Sequence, residues 1–215
     1  MLYDILFILF YLKLTNTYFL NHLIFRAFHC TSLAILSLKN ITDYGKSITD
    51  INSPIQTLYS TQPVTFLSPT SNYYSEYFYL KLTPVYFIVY LIYDLKHCNK
   101  RIDLLLHHII CIFWTYLNIH VTLGFIMICI FTEGITFAYL IPTFKNQLIY
   151  RLIFTTIIRF PIWIFVYTYY YFYNDVKADF LFYFNGFVIA TMMLLDYMWS
   201  VQNYKKLQLI LKDNK

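Results

Sequence analysis

The sequence predicts an all-α protein, a polytopic bundle of six or seven membrane-spanning helices, and three observations predict it. Of the 215 residues, 59% are hydrophobic and only 13% charged, too few charges to cover a soluble domain with this much apolar surface. The mean hydropathy is +0.53. Finally, apolar runs near spanning length follow one another with short polar breaks, at roughly 20 residues per span. The length leaves no room for a second globular domain, so residues 1–215 form a single integral membrane domain.

In chain order, residues 1–14 are apolar but carry Asp4 in place of a basic leader, so a removable signal peptide is not expected. This segment is short for a span, and either crosses obliquely or lies in the interface. Residues 18–38 form the second helix, with His22, Arg26 and His29 at three- and four-residue spacing on one inward face. Residues 39–76, rich in Ser, Thr, Asn and Pro, read as a long loop outside the membrane. Apolar runs then cover 79–95, 102–119, 121–141, 148–172 and 180–201. Pro84, Pro142 and Pro161 read as helix starts and a kink.

Alternate threading places Lys96, Lys100, Arg101, Lys145, Arg151 and the C-terminal lysines on one side. The positive-inside bias makes that side, and the C terminus, cytosolic. The 39–76 loop is then luminal or extracellular, and Asn40-Ile41-Thr42 is a glycosylation acceptor pattern on that side, close to the membrane. The net charge of +5 suits a face touching anionic headgroups or phosphorylated ligands. It is spread over loops without the continuous basic face of a nucleic-acid footprint, so no nucleic-acid partner is expected. Cys30, Cys98, Cys111 and Cys129 show neither a CxxC nor a metal spacing.

The chemistry sits in ionisable residues at membrane depth, where such groups are costly unless used or paired. His107 and His108 lie roughly 9 Å inside the cytosolic edge set by Arg101. Asp103, four residues before His107, shares its face and is expected to orient that imidazole. His108 is turned by about 100°, so one ring should face a ligand or act in catalysis and the other be structural. Glu133 lies about two turns inside its helix, too deep to snorkel, and is expected to take part in function. Asp94 closes the helix before the pair, His29 and Arg159 lie deeper, and Arg159 and Asp196 read as members of a paired network. No HExxH or set of spaced histidine boxes occurs, so no metal is expected.

Four landmarks resemble the TLC-domain family, multi-span endoplasmic-reticulum proteins that include the ceramide synthases and non-synthase lipid-homeostasis members. Arg26-Ala27-Phe28-His29 resembles the early R-x-x-H helix, Tyr93-Asp94 the Y-D that ends a helix, and His107-His108 the double histidine. RLIFTTIIRFPIW (151–163) and LDYMWSVQNYKK (195–206) resemble the last two helices. The resemblance covers a core of about 18–207. Three departures stand out. Cys111 replaces a Thr of the synthases, Phe131-Thr132-Glu133-Gly134-Ile135 offers one glutamate and no aspartate pair, and Asp196 stands where Asn is commoner. These bring the chain closer to the non-synthase members.

The resemblance implies an endoplasmic-reticulum membrane protein whose partners are membrane lipids and long-chain acyl groups, with no resident cofactor. Two mechanisms stay open. In one, the bundle binds or organises long-chain lipid and so influences membrane composition, with His107, His108, Glu133 and Arg159 holding a headgroup or carbonyl. In the other, it is an acyl-CoA-dependent N- or O-acyltransferase in which Lys96, Lys100 and Arg101 receive the phosphates. A histidine of the pair, oriented by Asp103, then serves as base or nucleophile. A channel or receptor is the remaining class, and no filter-like loop or periodic charged helix supports it.

Overall fold

The computed structural model describes residues 2–19, 21–49, 73–98, 101–118, 123–173 and 180–213, and every regular element among them is helical. Helix α1 spans Leu2–Tyr18, α2 His22–Thr49 and α3 Tyr73–Asp94. A 3-10 turn, Leu95–His97, ends α3, and α4 follows at Ile102–Asn118. Helix α5, Leu123–Phe131, tightens into a nine-residue 3-10 segment, Thr132–Leu140. Helix α6, Phe144–Phe154, runs through a π turn, Thr155–Arg159, into α7, Phe160–Tyr173, and α8 is Phe180–Asp213. Among the described residues two stretches are long and apolar enough to cross a membrane, Phe144–Thr168 and Tyr183–Asp213, while Ile102–Asn118 and Ile126–Leu140 are shorter apolar helices.

Local chemistry accounts for several boundaries. Asn21 caps α2, its Oδ1 accepting the Leu23 N–H at 2.8 Å. Pro161 has no N–H to give the carbonyl four residues back, and the π turn immediately before it changes the helical register there. Pro142 falls between the 3-10 segment and α6, at a true boundary, whereas Pro84 lies inside α3.

The expected loop at 39–76 is shorter than its composition suggested. Residues 39–49 continue α2 and 73–76 begin α3, and the remainder lies outside the described residues. Asn40 is 5% exposed and its amide donates to Thr83 Oγ1 at 2.9 Å, so it is a helix-packing residue and not a glycan acceptor.

The core is a seam of Phe25, Leu33, Tyr90, Ile126, Ile130 and Ile189, each at most 1% exposed, contributed by α2, α3, α5 and α8. The outer faces are apolar too: Phe10, Ile35, Phe113, Ile157 and Phe187 are all more than half exposed. Helix α2 meets the 3-10 segment closely at Gly134, where an added Cβ would lie 3.2 Å from Phe154 Cζ and 3.6 Å from Ala34 Cβ. Gly134→Ala is therefore expected to be tolerated after a small ring shift. Gly134→Leu should cost about 1–3 kcal/mol by overpacking, read as a lower melting temperature in one fixed detergent.

Candidate functional site: a split histidine pair

The two imidazoles part company as the helix geometry requires. Their rings lie edge to face with centroids 5.6 Å apart, and each belongs to a different set of neighbours.

His108 faces Asp94, which is 0% exposed at the end of α3. His108 Nε2–H donates to Asp94 Oδ2 at 2.8 Å, and Arg26 Nη2 donates to the same oxygen at 2.8 Å. His22, one turn before Arg26, brings Nε2 within 2.9 Å of Asp94 Oδ1 without hydrogen-bond alignment. His97 stacks on the His22 ring with centroids 3.6 Å apart. In the turn between α3 and α4, burial and then the neighbouring His22 push the His97 imidazole below its ordinary pKa.

Asp94, Cys98 and His108 put donor atoms within 4.8 Å of one another, a set able to hold a metal ion. Arg26 already supplies a positive charge on the carboxylate oxygen that His108 shares, so a cation here would have to displace a buried ion pair. Through Arg26, Asp94 and His108 the cluster ties α2, α3 and α4 together.

His107 faces the other way. Its Nε2 lies 3.5 Å from Glu133 Oε1, and the Cys111 Sγ lies 3.8 Å from Nε2 and 3.9 Å from Nδ1. Its ring meets Trp199 edge to face at 5.5 Å. His107, Cys111, Thr132 and Glu133 form the polar part of a crevice otherwise lined by groups such as Phe87, Trp114, Trp163, Val188 and Met192. The crevice is narrow, with room for little more than one water molecule.

Asp103 does not orient His107, contrary to its four-residue spacing. It is bonded by Arg101, with Nε at 2.9 Å and Nη2 at 2.6 Å, and by Trp199 Nε1 at 2.6 Å. A bidentate guanidinium outcompetes an imidazole one turn deeper, and Asp103 is drawn to the rim, where it bridges α4 to α8. The same hydrogen bond to Asp103 raises the Arg101 pKa above its ordinary value. Asp103 reaches His107 only through Trp199.

The remaining candidates fall into separate groups. Arg159 Nε donates to Asp196 Oδ2 at 2.9 Å, and Trp163 Nε1 donates to the same oxygen at 2.9 Å. Arg159 Nη1 also reaches the Thr132 carbonyl at 3.4 Å, next to Glu133. His29 is bonded to the hydroxyls of Thr15 and Tyr86, away from the pair, and ties α2 to α1 and α3. Lys96 lies over the Tyr93 ring, 3.8 Å from its centroid, and Arg101 is held by Asp103, so these two do not converge as a phosphate cradle. Lys100 lies outside the described residues.

Cys111, Trp163 and Trp199 were not singled out by the sequence reading as site residues. Cys111 had a visible signal, its four-residue spacing from His107; the tryptophans, on other helices, had none.

What the residues bring together is one imidazole–carboxylate–thiol group on an apolar crevice, backed by two buried ion-pair clusters. Comparison of the chain with family models, with curated proteins and with solved structures finds no match, so its identity rests on the residues themselves.

Proposed function

We propose that the chain is a multi-pass membrane protein that handles long-chain lipid or acyl groups in an intramembrane crevice and thereby influences membrane lipid composition. The observation that carries this reading is the pairing of His107 with Glu133 at the polar part of an otherwise apolar crevice. Ligand sites of this kind are mostly apolar, with a few polar groups that orient the ligand. Apolar outer faces and two helices of spanning length support the membrane bundle, of which six or seven helices would cross. The TLC-domain resemblance supports the substrate class, the endoplasmic-reticulum location and, with the basic residues, a cytosolic C terminus. An acyl chain needs the helices around the crevice to part, because its present width admits little more than water.

The split pair distinguishes two roles. Full-length protein purified in nanodiscs and analysed for retained lipid should lose bound long-chain species about tenfold or more on Glu133→Gln or His107→Ala, about one charge-assisted contact's worth. His108→Ala should instead lower the melting temperature while the folded fraction still retains lipid. Equal retention in all three variants would remove the crevice as the binding site.

The second reading, an acyl-CoA-dependent acyltransferase, is favoured by one observation: His107, free of Asp94, has both a carboxylate and a thiol beside it.

A further inference from the structure

We infer that Cys111 is the acyl-accepting nucleophile of the crevice, with His107 as its base and the Trp114 indole N–H as the donor for the carbonyl oxygen. This rests on the reading that acyl groups enter the crevice, and adds covalent chemistry to it.

Three residues of α4 carry the inference. His107, Cys111 and Trp114 recur at four- and three-residue spacing, so helical geometry puts them on one stripe, and all three line the crevice. Glu133 Oε1 lies 3.5 Å from His107 Nε2, and the thiol lies 3.9 Å from His107 Nδ1, the ring nitrogen that the carboxylate leaves free to take a proton. A nucleophile beside a base, with a third group holding the base, is the arrangement that activates a weak nucleophile.

Cys129 also lines the crevice, and the remaining two cysteines have other hydrogen-bond partners. Cys30 donates to the Tyr90 hydroxyl and Cys98 to the Asp94 carbonyl. Among the described residues, Cys111 is the cysteine hydrogen-bonded to an imidazole.

Trp114 supplies an independent sign of a missing ligand. It is 6% exposed, lines the crevice, and its Nε1–H has no acceptor among the described residues. A buried donor left unsatisfied is costly, and an incoming carbonyl oxygen would satisfy it.

The step balances without an oxidant or a metal. A long-chain acyl thioester places its carbonyl carbon against Cys111 Sγ. His107 takes the thiol proton, sulfur bonds to the carbonyl carbon, and the oxygen that gains the electron pair is held by the Trp114 N–H. The bond from carbon to the donor's sulfur then breaks, and the departing thiolate takes the proton back from His107. The products are acyl-Cys111 and a free thiol. One thioester has replaced another, so the acyl group keeps its transfer potential for a later amine or hydroxyl acceptor, whose proton His107 would receive.

The test uses full-length protein in nanodiscs and an alkyne-tagged hexadecanoyl-coenzyme A, with three readouts: non-covalent retention, label surviving denaturation, and the labelled peptide. Wild type should acquire one hydroxylamine-sensitive acyl group, mapping to Cys111. His107→Ala should slow its formation by roughly 10²-fold or more, the usual worth of a positioned base. Trp114→Phe should slow it by about 10²-fold, the loss of one oxyanion donor. Cys111→Ala should abolish it; should that variant not fold, the map on wild type and the His107→Ala rate decide. Label spread evenly over the four cysteines, or formed equally fast without His107, overturns the inference. Acyl-CoA retained without any covalent adduct also overturns it and leaves lipid handling standing. Loss of both retention and adduct in folded wild type removes the underlying reading as well.

Discussion

Asp94→Ala is expected to be among the most damaging single substitutions in this chain, costing about 3–5 kcal/mol, the usual result of stranding one partner of a buried ion pair. The Asp94 side chain is fully buried, and its Oδ2 accepts from both Arg26 and His108. Without it, the Arg26 guanidinium, with a side chain only 10% exposed, keeps its charge and loses its counter-ion. Its Nε already lacks a partner among the described residues, and the His22 imidazole, 3.5 Å from Nη2, offers no negative charge in place of the carboxylate. For a chain of this length the loss corresponds to a fall of about 10 °C or more in melting temperature. The cost comes from the charge left behind, so the double replacement Arg26→Met with Asp94→Leu should recover much of it. Thermal melts of both singles and the double in one detergent test this. A double variant as unstable as the sum of its singles would show that the pair is not coupled.

The same cluster shows which relations could be read from residue order. A rotation of about 100° between adjacent helical positions was enough to separate His107 from His108, and the structure turns one toward Glu133 and the other toward Asp94. The inward face of His22, Arg26 and His29 was equally legible, since it depends on helical periodicity alone. Relations settled by competition between partners were not. Asp103 had an imidazole one turn ahead and a guanidinium two residues behind, and spacing ranks neither; the bidentate Arg101 took it, aided by Trp199 from a distant helix. The polar start of the supposed loop, 39–49, is helical, and in its first turn Asn40 finds Thr83 on α3, a contact that composition does not encode. The irregular backbone was hidden for a related reason. Neither the 3-10 segment around Glu133 nor the π turn ending at Arg159 has a periodic signature, and Pro161 alone announced only a kink.

Arg159→Leu should be comparably severe, again about 3–5 kcal/mol, and its consequences should reach the crevice. Arg159 is 2% exposed at the end of the π turn, and Asp196 is 1% exposed. Among the described residues, removing the guanidinium leaves that carboxylate with Trp163 Nε1–H as its remaining donor on Oδ2, while Oδ1 has none. Arg159→Lys separates charge from geometry. An ammonium preserves the charge, but it cannot reproduce a planar fork that donates Nε to Asp196 while Nη1 reaches the Thr132 carbonyl. That carbonyl immediately precedes Glu133, so Arg159 ties the 3-10 segment to the ion pair. The lysine variant should therefore recover part of the lost stability yet still retain less long-chain lipid than wild type. Asp196→Asn, which keeps an acceptor for Trp163 but removes the counter-charge, should be destabilised without that selective loss per folded molecule. Melting temperature and retained lipid measured on the same nanodisc preparations distinguish the two effects. Full lipid retention by a folded Arg159→Lys protein would mean that Glu133 is held in place without help from the π turn.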